Sequence, residues 1–117
     1  MAVQMIEKSK WGAVLAGISR ALIGKRAEIE IASLDLGDQI VAERLPLVAI
    51  SYDRKDDVIS INLEKLDHLI RAPRELYIDY DLAGIVCLEI VDGEGASRIL
   101  TLSDPLALRD PQNQPVD

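Results

Sequence analysis

The chain has 117 residues, with 20 acidic and 13 basic side chains and a net charge of −7. Hydrophobic residues make up 49%, too many for a disordered chain, and the length suits one core rather than two. The negative balance argues against nucleic acid, which needs a basic surface or stripe. A single cysteine, Cys87, leaves no internal disulfide framework, and a single histidine, His68, leaves no metal site built from imidazoles.

Lys8 and Lys10 precede an apolar stretch from Trp11 to Ile18, as at the start of a signal peptide. Ser19 and Arg20 follow, and apolar positions resume at Leu22 and Ile23 with helical spacing instead of a small-residue cleavage site. No apolar run reaches the ~20 residues of a membrane span. The expectation is a cytoplasmic protein with a reduced cysteine, no cofactor and no membrane or nucleic-acid partner.

Residues 9–23 read as one amphipathic helix. Ser9 is placed to cap its start and Gly24 to stop it. Trp11, Val14, Leu15, Ile18, Leu22 and Ile23 recur at three- and four-residue steps and share a face. Gly12 and Gly17 each cost up to ~1 kcal/mol relative to alanine, so the helix needs tertiary packing to persist. Residues 1–27 carry five basic groups (Lys8, Lys10, Arg20, Lys25, Arg26) against Glu7, and the remainder is strongly acidic. A basic helix can lie on an anionic membrane. The acidic remainder would be repelled there, so the helix is expected to lie on its own sheet.

After Gly24 the period falls to two. Glu28 to Ile31 alternates, Asp35-Leu36-Gly37-Asp38 reads as a turn, and Gln39 to Leu45 as the return strand, interrupted by Pro46. Val48 to Tyr52 reads as a further strand and Asp53 to Asp57 as a polar loop. Val58 to Leu63 alternates again. His68 to Arg71 is a short strand ended by Pro73, and Leu76, Ile78 and Tyr80 alternate with Tyr77, Asp79 and Asp81. Asp81 to Gly84 is the next turn. Ile85 to Val91, broken only by Glu89, reads as a central strand buried on both faces. Asp92-Gly93-Glu94-Gly95 is a hairpin turn, and Arg98 to Leu102 the last strand. Short gaps favour antiparallel hairpins. Residues 1–102 are read as a single α+β domain, and 103–117, with Pro105, Pro111 and Pro115, as a loose C-terminal tail.

The middle of the chain resembles a bacterial domain-of-unknown-function family, number 5335. The resemblance rests on Leu45-Pro46-Leu47-Val48-Ala49-Ile50, Tyr52-Asp53-Arg54-Lys55-Asp56-Asp57, His68-Leu69-Ile70-Arg71-Ala72-Pro73 and Leu88-Glu89-Ile90. With the tryptophan helix it covers roughly residues 6–102. It departs from the family pattern at Ala49, where glycine is expected, and at Arg54, where proline is. It implies a small α+β protein and supplies no catalytic residues.

Candidate chemistry is sparse. Gly17-Ile18-Ser19-Arg20-Ala21 nearly matches a nucleophile elbow, but that serine must sit on a strand-to-helix turn and Ser19 lies inside the helix. Asp67 and His68 are neighbours, which on a strand point to opposite faces. Asp53, Asp56 and Asp57 share a loop with Arg54 and Lys55 and no glycine, unlike a calcium loop. Cys87 is expected to be a small buried hydrophobe. The fold expected is an N-terminal helix on a mostly antiparallel, twisted sheet of six to eight strands. Six strands span about 24 Å and a helix only ~10–12 Å. Either the sheet curls toward a barrel and covers itself, or a second copy covers it in an isologous homodimer; the dimer is preferred. The first functional reading is a non-catalytic interaction or regulatory module with an acidic surface and an unknown protein partner. The alternative is a small enzyme or ligand-binding domain with a pocket around His68 that includes Tyr52, Asp53 and Arg71.

Overall fold

The computed structural model describes residues 2–33, 37–81 and 84–103. Its elements are β1 (Ala2–Met5), a 3-10 turn (Lys8–Lys10), α1 (Trp11–Leu22), β2 (Arg26–Ser33), β3 (Gly37–Asp53), β4 (Val58–Leu63), β5 (Leu66–Arg71), β6 (Pro73–Asp81), β7 (Gly84–Asp92) and β8 (Ser97–Ser103). The strands form one sheet in the order β1-β6-β7-β8-β2-β3-β4-β5, every neighbour antiparallel. The α+β class therefore holds. The sheet is open, with β1 and β5 as its edges, so it does not close into a barrel. Residues 104–117 of the expected tail, Asp35 and Leu36 of the first expected turn, and Leu82 and Ala83 of the second lie outside the described residues; Gly37 and Asp38 belong to β3.

The helix is shorter than its apolar pattern. Lys10, not Ser9, precedes its first turn, and neither caps it with a side chain. The start is held from the side instead, where the Trp11 indole Nε1 donates to Ile6 O at 2.9 Å. Trp11, Leu15 and Ile18 are buried. Gly24 leaves the helix with φ +88°, the left-handed geometry that glycine adopts without penalty. Ile23, counted on the buried face by spacing, falls beyond the helix and is exposed.

Two predicted strands around Pro46 are one. β3 runs seventeen residues through the proline, because the edge at which Pro46 lacks an N–H is where its pairing with β2 ends. Its first half pairs with β2 as far as Arg26↔Pro46, with two register shifts. Arg44 at φ +56° bends the strand. The second half, from Leu47, pairs with β4 on its other edge, after a further shift between Leu47 and Ala49. The edge that β2 vacates is taken by α1 and its exit. Gly24 N–H donates to Leu47 O at 2.9 Å, and Leu47 N–H to Lys25 O at 2.8 Å. The Ser19 hydroxyl donates to Ile50 O and accepts from Ile50 N–H, both at 2.7 Å.

The bend turns β3–β5 against β6–β8 so that their inner faces share one cluster. Ile50, Ile59, Ile61 and Ile70 meet Leu76, Ile78, Leu88, Ile90 and Leu100 there, together with the buried face of α1. β7 is not buried on both faces as its composition suggests. Leu88 and Ile90 are buried, but Cys87, Glu89 and Val91 on the opposite face are only half-buried, because the single helix serves the inner side alone. β1, absent from the sequence pattern, is four residues long, an alternation too short to give a period.

Replacing Ser19 with alanine strands both backbone groups of Ile50 on an uncovered edge. The expected cost is about 2 kcal/mol, read as a lower urea midpoint at unchanged slope.

Candidate functional site

The candidate residues divide between the two sides of the β3–β5 half. Tyr52 and His68 face the core side, and the row Tyr52–Ile59–Ile70 lies next to Ile50–Ile61–His68. The two side chains are thus two strands and one row apart, about 12 Å, with isoleucines between them. Asp53 and Arg71 lie in the row Asp53–Val58–Arg71, and both are exposed. The fold does not gather the four into one pocket.

Each is drawn into a separate cluster. Tyr52 packs edge-to-face on Trp11, with ring centroids 5.1 Å apart and planes at 75°. Its hydroxyl donates to Asp57 Oδ1 at 2.6 Å. The Lys8 ammonium stands 3.1 Å from the same oxygen, donates to Pro73 O at 3.1 Å, and lies 5.2 Å from the Trp11 ring centre. Burial and the bond to Asp57 push the Tyr52 phenol up to about 12, and the bonds from Tyr52 and Lys8 hold the Asp57 carboxyl below its usual range. A phenol so far from neutrality is a poor general acid or base. The cluster ties the start of the chain to the β3–β4 turn. Asp53 shapes that turn, accepting from Lys55 N–H at 2.9 Å and Asp56 N–H at 3.3 Å. Among the described residues no three His, Cys, Asp or Glu side chains are grouped to hold a metal ion.

His68 lies on the side of β5 that faces β8. Burial, and then the Arg98 guanidinium, push its pKa down. His68 Nε2 and Arg98 Nε are both buried without a hydrogen-bond partner. Asp67 points away and accepts from Asn62 Nδ2 at 2.9 Å, so the neighbouring acid does not orient the imidazole. Arg98 instead pairs with the buried Asp92. The Asp92 carboxylate also accepts from Glu94 N–H at 2.8 Å and Ala96 N–H at 3.0 Å. Burial alone would raise its pKa, but Arg98 and the two amides hold it below the usual range. Arg71 shares a hollow of about 320 Å³ with Leu69, Ala72, Asp92, Gly93, Glu94 and Arg98; His68 is not in its lining. Local sequence gives no sign of the pairings of Lys8 with Asp57 or of Trp11 with Tyr52, which join distant segments. Asp92 carried a signal, since Asx residues opening a Gly-rich hairpin bond their own turn.

The outer face of β2, β6, β7 and β8 is different in kind. Register places Val3, Asp79, Cys87, Thr101 and Glu28 in one row across it, and Met5, Tyr77, Glu89, Ile99 and Glu30 in the next. Glu75, Val91, Ser97 and Ala32 form the third. Five carboxylates fall in these rows and no basic residue does; Arg26, on the same face, lies in the adjoining row beside Glu28. Glu75 accepts the Tyr77 hydroxyl at 2.8 Å, and Asp79 Oδ1 is buried without a donor. Glu30 is raised by a hydrogen bond with Asp38 and by the neighbouring charges. Cys87 is half-buried here rather than in the core, and burial, then Asp79, push its thiol up, so the reactive thiolate is disfavoured.

A family of unknown function, DUF5335, matches residues 2–111. The chain belongs to this family. The match reaches beyond Leu102 into the region expected to be tail. The DUF5335 chain is also 36% identical over 109 residues to an uncharacterised protein of Aquifex aeolicus (strain VF5), covering 92% of this chain and 98% of that one. No solved structure matches significantly. No helix among the described residues is long and apolar enough to cross a membrane.

The lowered His68 value has a definite consequence. The folded state binds a proton at His68 less readily than the unfolded chain, so its contribution to stability is full above the unfolded value near 6.5. That contribution is lost as the pH falls from there toward the folded value. The urea midpoint should decline over this window, and H68Q should flatten the decline. The Asp92 and Asp57 contributions fade only at lower pH, from about 4 downward.

Proposed function

We propose that this chain is a non-catalytic interaction module that presents the outer face of β2, β6, β7 and β8 to a cationic protein partner. The observation that carries this reading is the set of three rows, with five carboxylates around Val3, Tyr77, Cys87 and Val91 and no basic side chain. α1 packs on the inner side and leaves this face open. Alternating acid and apolar positions suit a segment that pairs Lys or Arg with half-buried apolar side chains. Tyr52, Asp57 and Lys8 are spent on holding the N-terminal segment over the β3–β4 turn, and Asp92 on its own hairpin, which supports the non-catalytic reading over a pocket around His68.

The test is titration with a cationic amphipathic peptide, followed by fluorescence anisotropy. Binding should weaken as salt rises. D79K combined with E89K should weaken it at least tenfold, while D53K and D56K on the distant β3–β4 turn should change it little. Binding that ignores both salt and the outer-face substitutions would discard the reading.

A further inference from the structure

The two edges of the sheet are built differently. β5 carries Asp67, His68 and Arg71, the charged residues with which exposed edges are ordinarily guarded against pairing. β1 reads Ala-Val-Gln-Met. It has no charge, no proline and no register shift against β6.

The hydrogen-bond phase of β1 follows from one contact. Ile6 N–H donates to Leu76 O at 2.9 Å, which makes that pair a bonded one. Bonded and non-bonded pairs alternate in an antiparallel ladder, so Gln4 and Ala2 also direct their backbone groups at β6. Val3 and Met5 direct theirs outward, to the open edge. These two residues are 67% and 57% exposed and share the outer face of the sheet.

We infer that β1 is a homodimerisation edge, on which a second copy of this chain adds its own β1 antiparallel about a twofold axis at Gln4. The strand is self-complementary in that register. Val3 stands opposite Met5 of the partner subunit and Met5 opposite Val3 of the partner subunit, and both pairs satisfy the outward N–H and C=O groups. The same pairing puts four apolar side chains side by side on one face. Gln4 meets its own copy at a non-bonded position. Charge does not oppose the union. The nearest outer-face acid is Asp79, next to Val3 on β6. It stands at least three strand spacings from its copy, about 14 Å, beyond the ~8 Å screening length of physiological salt.

This association is independent of the cationic partner proposed above. The twofold axis is perpendicular to the sheet, so it joins the two outer faces on one side without covering them. It differs from a dimer that buries a sheet face. The inner face is already filled, and the outer face carries the acids. Four residues per edge make a small interface, so a dimer that forms in the micromolar range is expected rather than an obligate one.

Sedimentation equilibrium across a concentration series tests it. The mass of the full chain should rise from 12.9 kDa toward twice that value. V3K combined with M5K should hold it at 12.9 kDa with an unchanged far-UV circular dichroism spectrum. Gln4→Cys supplies a readout that does not depend on that variant folding. Non-bonded antiparallel pairs bring Cα atoms to ~4.5 Å, within disulfide reach. The oxidised Gln4→Cys chain should therefore run as a covalent dimer, while the parent, with Cys87 alone, and L69C on the β5 edge should not. A wild-type mass that stays at one chain would overturn the inference. So would a dimer that V3K and M5K leave intact in a folded chain, or crosslinking through Leu69→Cys rather than Gln4→Cys.

Discussion

The architecture depends on how β3 is satisfied after it outruns β2. A strand with bare N–H and C=O groups facing a forming core is costly. Beyond Pro46 the vacated edge is met by the helix exit at Leu47 and by the Ser19 hydroxyl at Ile50. That contact lets β3 leave one set of strands and join another. The resulting bend folds an open eight-stranded sheet onto its own inner face. One twelve-residue helix can then complete a core that a flat sheet of this width would leave half uncovered.

The same economy determines the outer side. With the helix committed to the inner face, residues opposite the core must tolerate water, and the outer positions of β2, β6 and β7 carry Glu28, Glu30, Glu75, Asp79 and Glu89. Like charges at this density repel: Asp38 and Glu28 push the Glu30 pKa up, and Glu75 is relieved by the hydrogen bond it accepts from the Tyr77 hydroxyl. A face held this way has electrostatic free energy to lose when a cation arrives, which is why it, and not a cavity, supports the functional reading.

The polar residues nearest the core have a different task. Lys8, Asp57, Tyr52 and Trp11 fasten the N-terminal segment over the β3–β4 turn. Asp92 and Arg98 fasten the β7–β8 hairpin beside the β5–β6 corner, where Gly93 lies so close to Ala72 O that an added Cβ would come within 3.3 Å. Most of the motifs that carry the family resemblance fall on these fastenings, while Leu88 to Ile90 lies in the core strand β7. Leu45 to Asp57 is the bent half of β3 with its turn, and His68 to Pro73 is β5 with the corner.

Local period and turn chemistry, read from the sequence by itself, determined the α+β class, the helix and its glycine stop, the antiparallel connections, the β4 strand and the hairpin at Asp92. These depend on residues within a turn or a few positions of one another, and so did the family assignment. Tertiary structure decided what local pattern cannot encode. It carried β3 through Pro46, because the missing N–H falls where one partner strand is exchanged for another. It made β7 one-faced, because only one layer exists to cover it. It separated Tyr52 from Asp53 and His68 from Arg71, because strand parity and register assign side chains to faces whatever their closeness in sequence. And it brought Lys8 to Asp57, Ser19 to Ile50 and Arg98 toward His68, pairs distant in the chain that meet only when a bent sheet brings its halves together.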